Sequence, residues 1–322
     1  MRSLLPLGAV CALLAASPAR PDVLRPVVGH SSWYGETFTF LADLDDESYV
    51  QLTFSVTNIG PGTAKGICRA VLVGPDGAPW KASERVSRDG WSHRGGPEER
   101  LAIGPCAAWS GESAGAEVSL QGGRIRLAYS DRLKRRGPVS MVEAAGERYG
   151  SEILFLRGRV EAEIALPGAP ARRVGGSGYV DHSRGTVPPK DLARRWIRFR
   201  GLKGERGLVI LGREAHDGAF SPLWTCDEAA LCRHFASFAL DREGSGAATA
   251  FRARLSGPPD SVLVRSGKLL YRDAPVEELG ILGRIVAPVV GSPVTWVYRG
   301  SASVGEGPPV DGILEVELSS DD

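Results

Sequence analysis

Lysine is scarce in this 322-residue chain: only 6 of its 39 basic residues are Lys and the other 33 are Arg. No basic block exceeds Lys134-Arg135-Arg136, and the acidic total of 38 leaves a formal net charge of +1. Nucleic acid is therefore not expected as a partner, because it would call for a basic stripe or patch. Beyond the first residues there is no apolar run long enough to span a bilayer, so no stable membrane span is expected. The cysteines include no CxxC pair, which argues against a structural zinc site. No Gly-x-Ser-x-Gly elbow opens a helix, which argues against a serine hydrolase. Gly176-Ser177-Gly178 lacks the third glycine and the strand–helix context of a dinucleotide loop. There is no repeat at solenoid periods, and no cofactor is expected.

What is present is an all-β pattern with an exported look. Arg2, the apolar Leu4 to Ala16 and the small residues Ser17-Pro18-Ala19 read as a secretory signal over residues 1–19, with cleavage near Ala19 and a periplasmic or secreted destination. Cys11 goes with it, leaving four cysteines in an oxidising compartment. Four cysteines allow three connectivities; Cys68–Cys106 and Cys226–Cys232 are favoured because each bridge stays within one half of the chain. From Tyr49 to Asn58, Val50, Leu52, Phe54 and Val56 alternate with Gln51, Thr53, Ser55 and Thr57, the period of a strand with one apolar face. Similar short segments recur to Ile313–Leu318, punctuated by 41 glycines and 22 prolines, as in sandwiches and barrels. Short helices are expected only at Glu98–Ile103, Asp191–Arg195, Asp227–Cys232 and Val276–Ile285. The Pro/Gly stretch from Pro167 to Arg173 is the expected boundary between a domain at 24–166 and one at 174–320.

The chemistry concentrates in Gly175-Gly-Ser-Gly-Tyr-Val-Asp-His-Ser-Arg-Gly-Thr186 and in Arg194-Arg-Trp-Ile-Arg-Phe-Arg200. In an extended chain Tyr179, Asp181 and Ser183 point one way and Val180, His182 and Arg184 the other. The glycines permit sharp bends or the close approach of another element.

Gly176 to Gly185 resembles the central motif of the lipocalin-like superfamily that includes carotenoid 1,2-hydratase, AttH-type and Svf1-like proteins. The segment from Trp33 to Phe38, followed by Val50 to Gly60, is similar to the first barrel of the Svf1-like members. The resemblance implies two tandem lipocalin-like antiparallel β-barrel or sandwich domains, and a hydrophobic isoprenoid, polyene or lipid-like small molecule as partner. It implies either a hydratase or cyclase that protonates a C=C bond, or a carrier without turnover. His182 stands where the carotenoid hydratases carry an aromatic.

On the residues themselves, Asp181 is the first candidate acid, since a carboxyl enclosed by apolar groups stays protonated at neutral pH. Tyr179, His182 and Arg184 are its expected supports, with Tyr179 and Trp33 offering π faces to a cation. Trp33, Trp196, Arg198 and His216 are candidate ligand contacts, with Arg198 positioned to meet Asp181 or a ligand carboxylate. Arg195 and Arg200 read equally as solvated charges on an edge strand. No spacing supports a metal site built from His182, His216 and His234.

Overall fold

The computed structural model describes residues 22–144, 146–203, 207–216, 218, 223–227, 232–257, 261–274, 276 and 291–319. The expected signal segment lies outside them, as do nearly all of Val276–Ile285 and the middle of Asp227–Cys232.

Alternating sequence becomes alternating burial in two large antiparallel sheets. The first has twelve strands: β1 (Gly35–Leu44), β2 (Tyr49–Thr57), β3 (Lys65–Val73), β4 (Pro79–Val86), β5 (Trp91–Arg94), β6 (Glu99–Ile103), β7 (Cys106–Ser110), β8 (Ala114–Leu120), β9 (Gly123–Tyr129), β10 (Arg136–Ala144), β11 (Glu147–Ala165) and β12 (Arg172–Gly185). The helical turn α1 (Pro189–Leu192) leads to nine more: β13 (Arg195–Gly201), β14 (Leu208–Glu214), β15 (Leu223–Asp227), β16 (Cys232–Phe235), β17 (Ser237–Glu243), β18 (Ala250–Ser256), β19 (Val262–Asp273), β20 (Val294–Val304) and β21 (Val310–Leu318).

Both sheets are wired alike. The orders are β4-β3-β2-β1-β12-β11-β9-β8-β7-β6-β5, with β10 on β11, and β16-β15-β14-β13-β21-β20-β19-β18-β17. In each, the last strand returns to pair with the first, and among the described residues the ring stays open at one place, between β4 and β5 or between β16 and β17. Curling into these open barrels buries a separate core in each. Phe38, Phe40, Leu52, Phe54, Ile125 and Leu127 help fill the first, and Phe199, Phe251, Trp296 and Leu314 the second. Each such fully buried side chain contributes about 1.5–3 kcal/mol.

Two expectations change here. Glu98–Ile103 is not a helix: β6 pairs with β5 and β7, and its Leu101 and Ile103 alternate into the core. Pro167–Arg173 is not a division between sheets but the turn joining β11 to β12, and the sheets part between Gly185 and Arg195. The motif strand β12 therefore belongs to the first sheet, between β1 and β11. Its glycines serve close approach rather than bends. A Cβ on Gly178 would sit 2.4 Å from the Tyr129 ring, and one on Gly176 would sit 2.5 Å from the Asp43 carbonyl oxygen.

The Cys68–Cys106 disulfide is formed and links β3 to β7 across the open side of the first barrel. With the cysteines 38 positions apart, removing the bridge is expected to cost about 2–4 kcal/mol by freeing the unfolded chain. Urea unfolding of the Cys68→Ser/Cys106→Ser variant checks this, and an unchanged midpoint would refute it. Cys226 and Cys232 are opposed residues in the β15–β16 pair, and their side chains fall outside the described ones.

The sheets pack back to back. Leu41, Tyr49, Val71, Ile153 and Tyr179 of the first meet Leu202, Val209, Tyr271, Val297 and Ile313 of the second in a third apolar cluster. Gln51 accepts hydrogen bonds from Tyr49 at 3.0 Å and from Tyr271, on the other sheet, at 2.9 Å. Arg299–Asp43 (2.6 Å) and Arg69–Asp273 (2.8 Å) add ion pairs along the seam.

Candidate functional site

Because β12 is extended throughout, it deals the motif to two faces. Val180 joins the first barrel's core, while Tyr179 joins the cluster between the sheets. His182 stacks on Phe38 (ring centroids 4.5 Å apart, 10° between planes), and Asp181 and Ser183 line a cavity between the sheets. The four candidate catalytic residues thus do not converge: Tyr179 and Asp181 face the second sheet, and His182 does not.

His182 is a buried imidazole held between two carboxylates, Nδ1 to Glu152 at 2.7 Å and Nε2 to Glu36 at 2.8 Å. Glu36 also accepts from the Tyr34 hydroxyl at 2.6 Å and from the Val27 amide at 2.7 Å. Burial works against a charged imidazole, but hydrogen bonds and charge from Glu152 and Glu36 outweigh it and raise the His182 pKa. Burial likewise works against charged carboxylates, and the bonds to His182 outweigh it, so Glu36 and Glu152 are lowered. Arg135, 3.0 Å from Glu152, supports the same charges. His182 thus stabilises fully below its ordinary pKa, about 6.5, and the gain is lost as pH rises through the raised value. The two glutamates stabilise above their ordinary value, about 4.3, and lose that as pH falls through the lowered values. The His182→Gln variant should therefore be less stable by about 3–5 kcal/mol between these limits, because it leaves two buried carboxylates underpaired. Denaturation of both proteins from pH 4 to 9 checks this, and a pH-independent difference would refute the paired-charge account.

The second face of β12 looks into a partly open space of about 350 Å³ between the sheets. Its first wall is Thr37, Thr39, Gln51, Thr53 and Ser55 with Tyr149, Ser151, Asp181 and Ser183; its second is Arg198, Arg200, Leu211, Glu315 and Glu317. The polar face of β2 therefore forms a cavity wall. Arg200 is only 2% exposed and bridges Glu315 at 2.7 Å and Asp181 at 3.3 Å. The edge-strand reading of Arg200 is thereby corrected: β13 lies between β14 and β21, with the first sheet over this face. Arg195 bonds Glu214 rather than standing free in solvent. Arg198 pairs with Glu315 and, at 3.5 Å, with Glu317, so Arg200 and not Arg198 is the partner found for Asp181.

Two carboxyls, two positions apart on β21, are driven in opposite directions. Burial would raise Glu315, but the flanking Arg198 and Arg200 guanidiniums hold it down to about 2. Burial also raises Glu317, and here the single guanidinium of Arg198, opposed by the Glu315 carboxylate, does not overcome it. Glu317, raised, thus sits two positions from Glu315, held down, the kind of separation between two carboxyls that acid–base sites use. Asp181 lacks the apolar enclosure expected of it; its neighbours are a guanidinium and hydroxyls. Glu315 and Glu317 escaped the reading of the sequence, and Arg200 entered it only as an edge-strand charge, although Glu-x-Glu on β21 opposite Arg-x-Arg on β13 was a usable signal, with Arg198 and Glu315 as register partners.

Trp196 packs edge-on to the cavity's Tyr149 (centroids 5.5 Å apart) and beneath Arg198 (4.8 Å). Trp33, in the turn before β1, is absent from the lining, and Arg184 is paired with Glu36 in the β1–β12 register. His216 is exposed in the turn after β14. Among the described residues, His182, His216 and His234 form no metal-ligating group; the group with that spacing is Asp22, His93 and Glu99.

Fold and site together define a class, a pair of lipocalin-like open β-barrels packed back to back around a charged cavity. Solved structures share this architecture. An AttH-type protein from Nitrosomonas europaea aligns with TM-score 0.59 at 15% identity, over 88% of this chain and 91% of its own. Kievitone hydratase from Nectria haematococca aligns with TM-score 0.55 at 12% identity, over 94% of each chain. CghA aligns with TM-score 0.53 at 13% identity, over 95% of this chain and 96% of its own. At these identities the likeness is one of fold. No protein-family profile matches the chain, and no curated protein matches its sequence.

Proposed function

We propose that the chain is an exported lipocalin-like protein that holds a small molecule between its two barrels and protonates a C=C bond of it, as a hydratase or cyclase. The observation that carries this is the opposed pair Glu315 and Glu317 in a partly open cavity of about 350 Å³, a size suited to one small ligand. In this reading Glu317 gives its proton to one alkene carbon, and the π electrons form the new C–H bond. The cation left on the other carbon is captured by water or by an internal nucleophile, and Asp181, oriented by Arg200, takes the proton released. Tyr149 and Trp196 place aromatic faces near the developing cation. The hydroxyl, amide and guanidinium lining favours an isoprenoid or polyketide-like skeleton bearing oxygen substituents over a bare polyene. The neighbours support the reading by name: one is kievitone hydratase, and CghA is also known with Sch210972.

The test is native mass spectrometry of the exported protein, followed by organic extraction and identification of what co-purifies. A near-stoichiometric oxygenated alkene is expected. A repeatedly empty protein with no thermal shift against a panel of such compounds would overturn the reading.

A further inference from the structure

A second constellation lies away from that cavity, at the end of the first barrel. Glu99 opens β6 and is 3% exposed. Its carboxylate accepts the amides of Val23 (2.9 Å) and Leu24 (2.7 Å), fastening the N-terminal segment, with Leu24 fully buried in the first core. His93, on β5, directs Nε2 at the same carboxylate from 2.9 Å. Asp22 completes the group, with one oxygen accepting the Gly96 amide at 3.1 Å. One donor atom from each of Asp22, His93 and Glu99 lies within 4.8 Å of the other two. Gly95 makes room for this: a Cβ there would meet the second Asp22 oxygen at 2.4 Å.

Two carboxylates brought this close repel unless a cation stands between them, and among the described residues the basic partner set against them is the His93 imidazole. We propose that Asp22, His93 and Glu99 bind a divalent transition-metal ion of the zinc type, which clips the N-terminal segment to the β5–β6 hairpin. One nitrogen and two oxygen donors suit zinc-like ions, whereas an all-oxygen set would suit calcium or magnesium. A small contraction of the three groups reaches zinc–ligand distances near 2.0–2.2 Å. The ion takes the place of the His93–Glu99 hydrogen bond, while the Glu99 oxygens keep their second lone pairs for the Val23 and Leu24 amides. Three protein ligands leave a fourth position for water. The inference is independent of the proposed function, since it concerns a different end of the molecule and no step of that chemistry.

The experiment is a titration of tag-free, chelator-stripped protein with Co²⁺ and then Zn²⁺, followed by visible spectroscopy, metal analysis after gel filtration and thermal melting. The expected result is about one equivalent retained, with the d–d bands of four- or five-coordinate Co²⁺ bleached by Zn²⁺. Melting should rise by several degrees with Zn²⁺, since the ion binds the folded state. Affinity should fall about 100-fold or more in His93→Gln, and by about tenfold in Gly95→Ala, which keeps every donor but crowds Asp22. Absence of retained metal and of Co²⁺ bands in the parent protein would overturn the proposal. So would stoichiometric binding unchanged in both variants, because the metal would then sit elsewhere. Should His93→Gln fail to fold, Gly95→Ala decides alone.

Discussion

Replacing Arg200 with methionine is expected to destabilise the protein by about 3–5 kcal/mol, the cost of stripping the partner from buried carboxylates. Arg200 is 2% exposed and reaches Asp181 and Glu315 at once. Glu315 keeps Arg198 when Arg200 is gone, so the larger share of the loss falls on Asp181. The size of the effect separates this residue from surface arginines, whose ion pairs contribute about 0–1 kcal/mol. Adding Asp181→Asn to Arg200→Met should recover more than about 1 kcal/mol, the coupling expected of groups in direct contact. Acid adds a second check. Glu315, held down to about 2, stabilises fully above the ordinary glutamate value near 4.3 and loses this as pH falls towards about 2. The gap between parent and Arg200→Met should therefore narrow below pH 4. Urea unfolding of the three proteins measures all of this, and a loss under about 1 kcal/mol for Arg200→Met would show that water screens the site.

What made Arg200 hard to see also explains how far the sequence could be read. The period of β2 named its core face, since Val50, Leu52, Phe54 and Val56 all enter the first core. The same period cannot say whether the opposite face meets water or a second sheet, so it does not show that Gln51, Thr53 and Ser55 line a cavity. Arg200 suffers the same ambiguity from the other side: charge on a strand signals an edge unless a partner sheet carries the countercharge. The motif fared better, because alternation along β12 does separate Asp181 from His182. Their joint role in one site does not survive that geometry. The turn at Pro167–Arg173 misled because hairpins and domain linkers draw on the same Pro and Gly chemistry. Only the pairing of β12 with β1, more than a hundred residues earlier in the chain, distinguishes them.

The larger consequence concerns turnover. Glu317→Gln should lower kcat by about 10²–10⁴, the usual contribution of a positioned general acid, while ligand affinity changes by less than about threefold. Gln keeps the size and polarity of the side chain but has no proton to give, so a loss confined to kcat identifies a proton delivered in the transition state. The pH profile gives the same information independently. Activity that needs protonated Glu317 falls as pH rises through its raised pKa, and the variant's residual rate should lack that limb. Direct titration by carboxyl ¹³C NMR should place Glu317 above the ordinary glutamate value and Glu315 far below it. Asp181→Asn distinguishes the two readings of the motif. If Asp181 accepts the proton from water, its variant loses turnover and keeps the Glu317 limb; if Asp181 is itself the acid, that limb disappears with it. A carrier behaves differently from both. It shows no turnover to lose, and Glu317→Gln then changes affinity alone, because in a binding site the opposed carboxyls serve only to orient the oxygen substituents of the ligand.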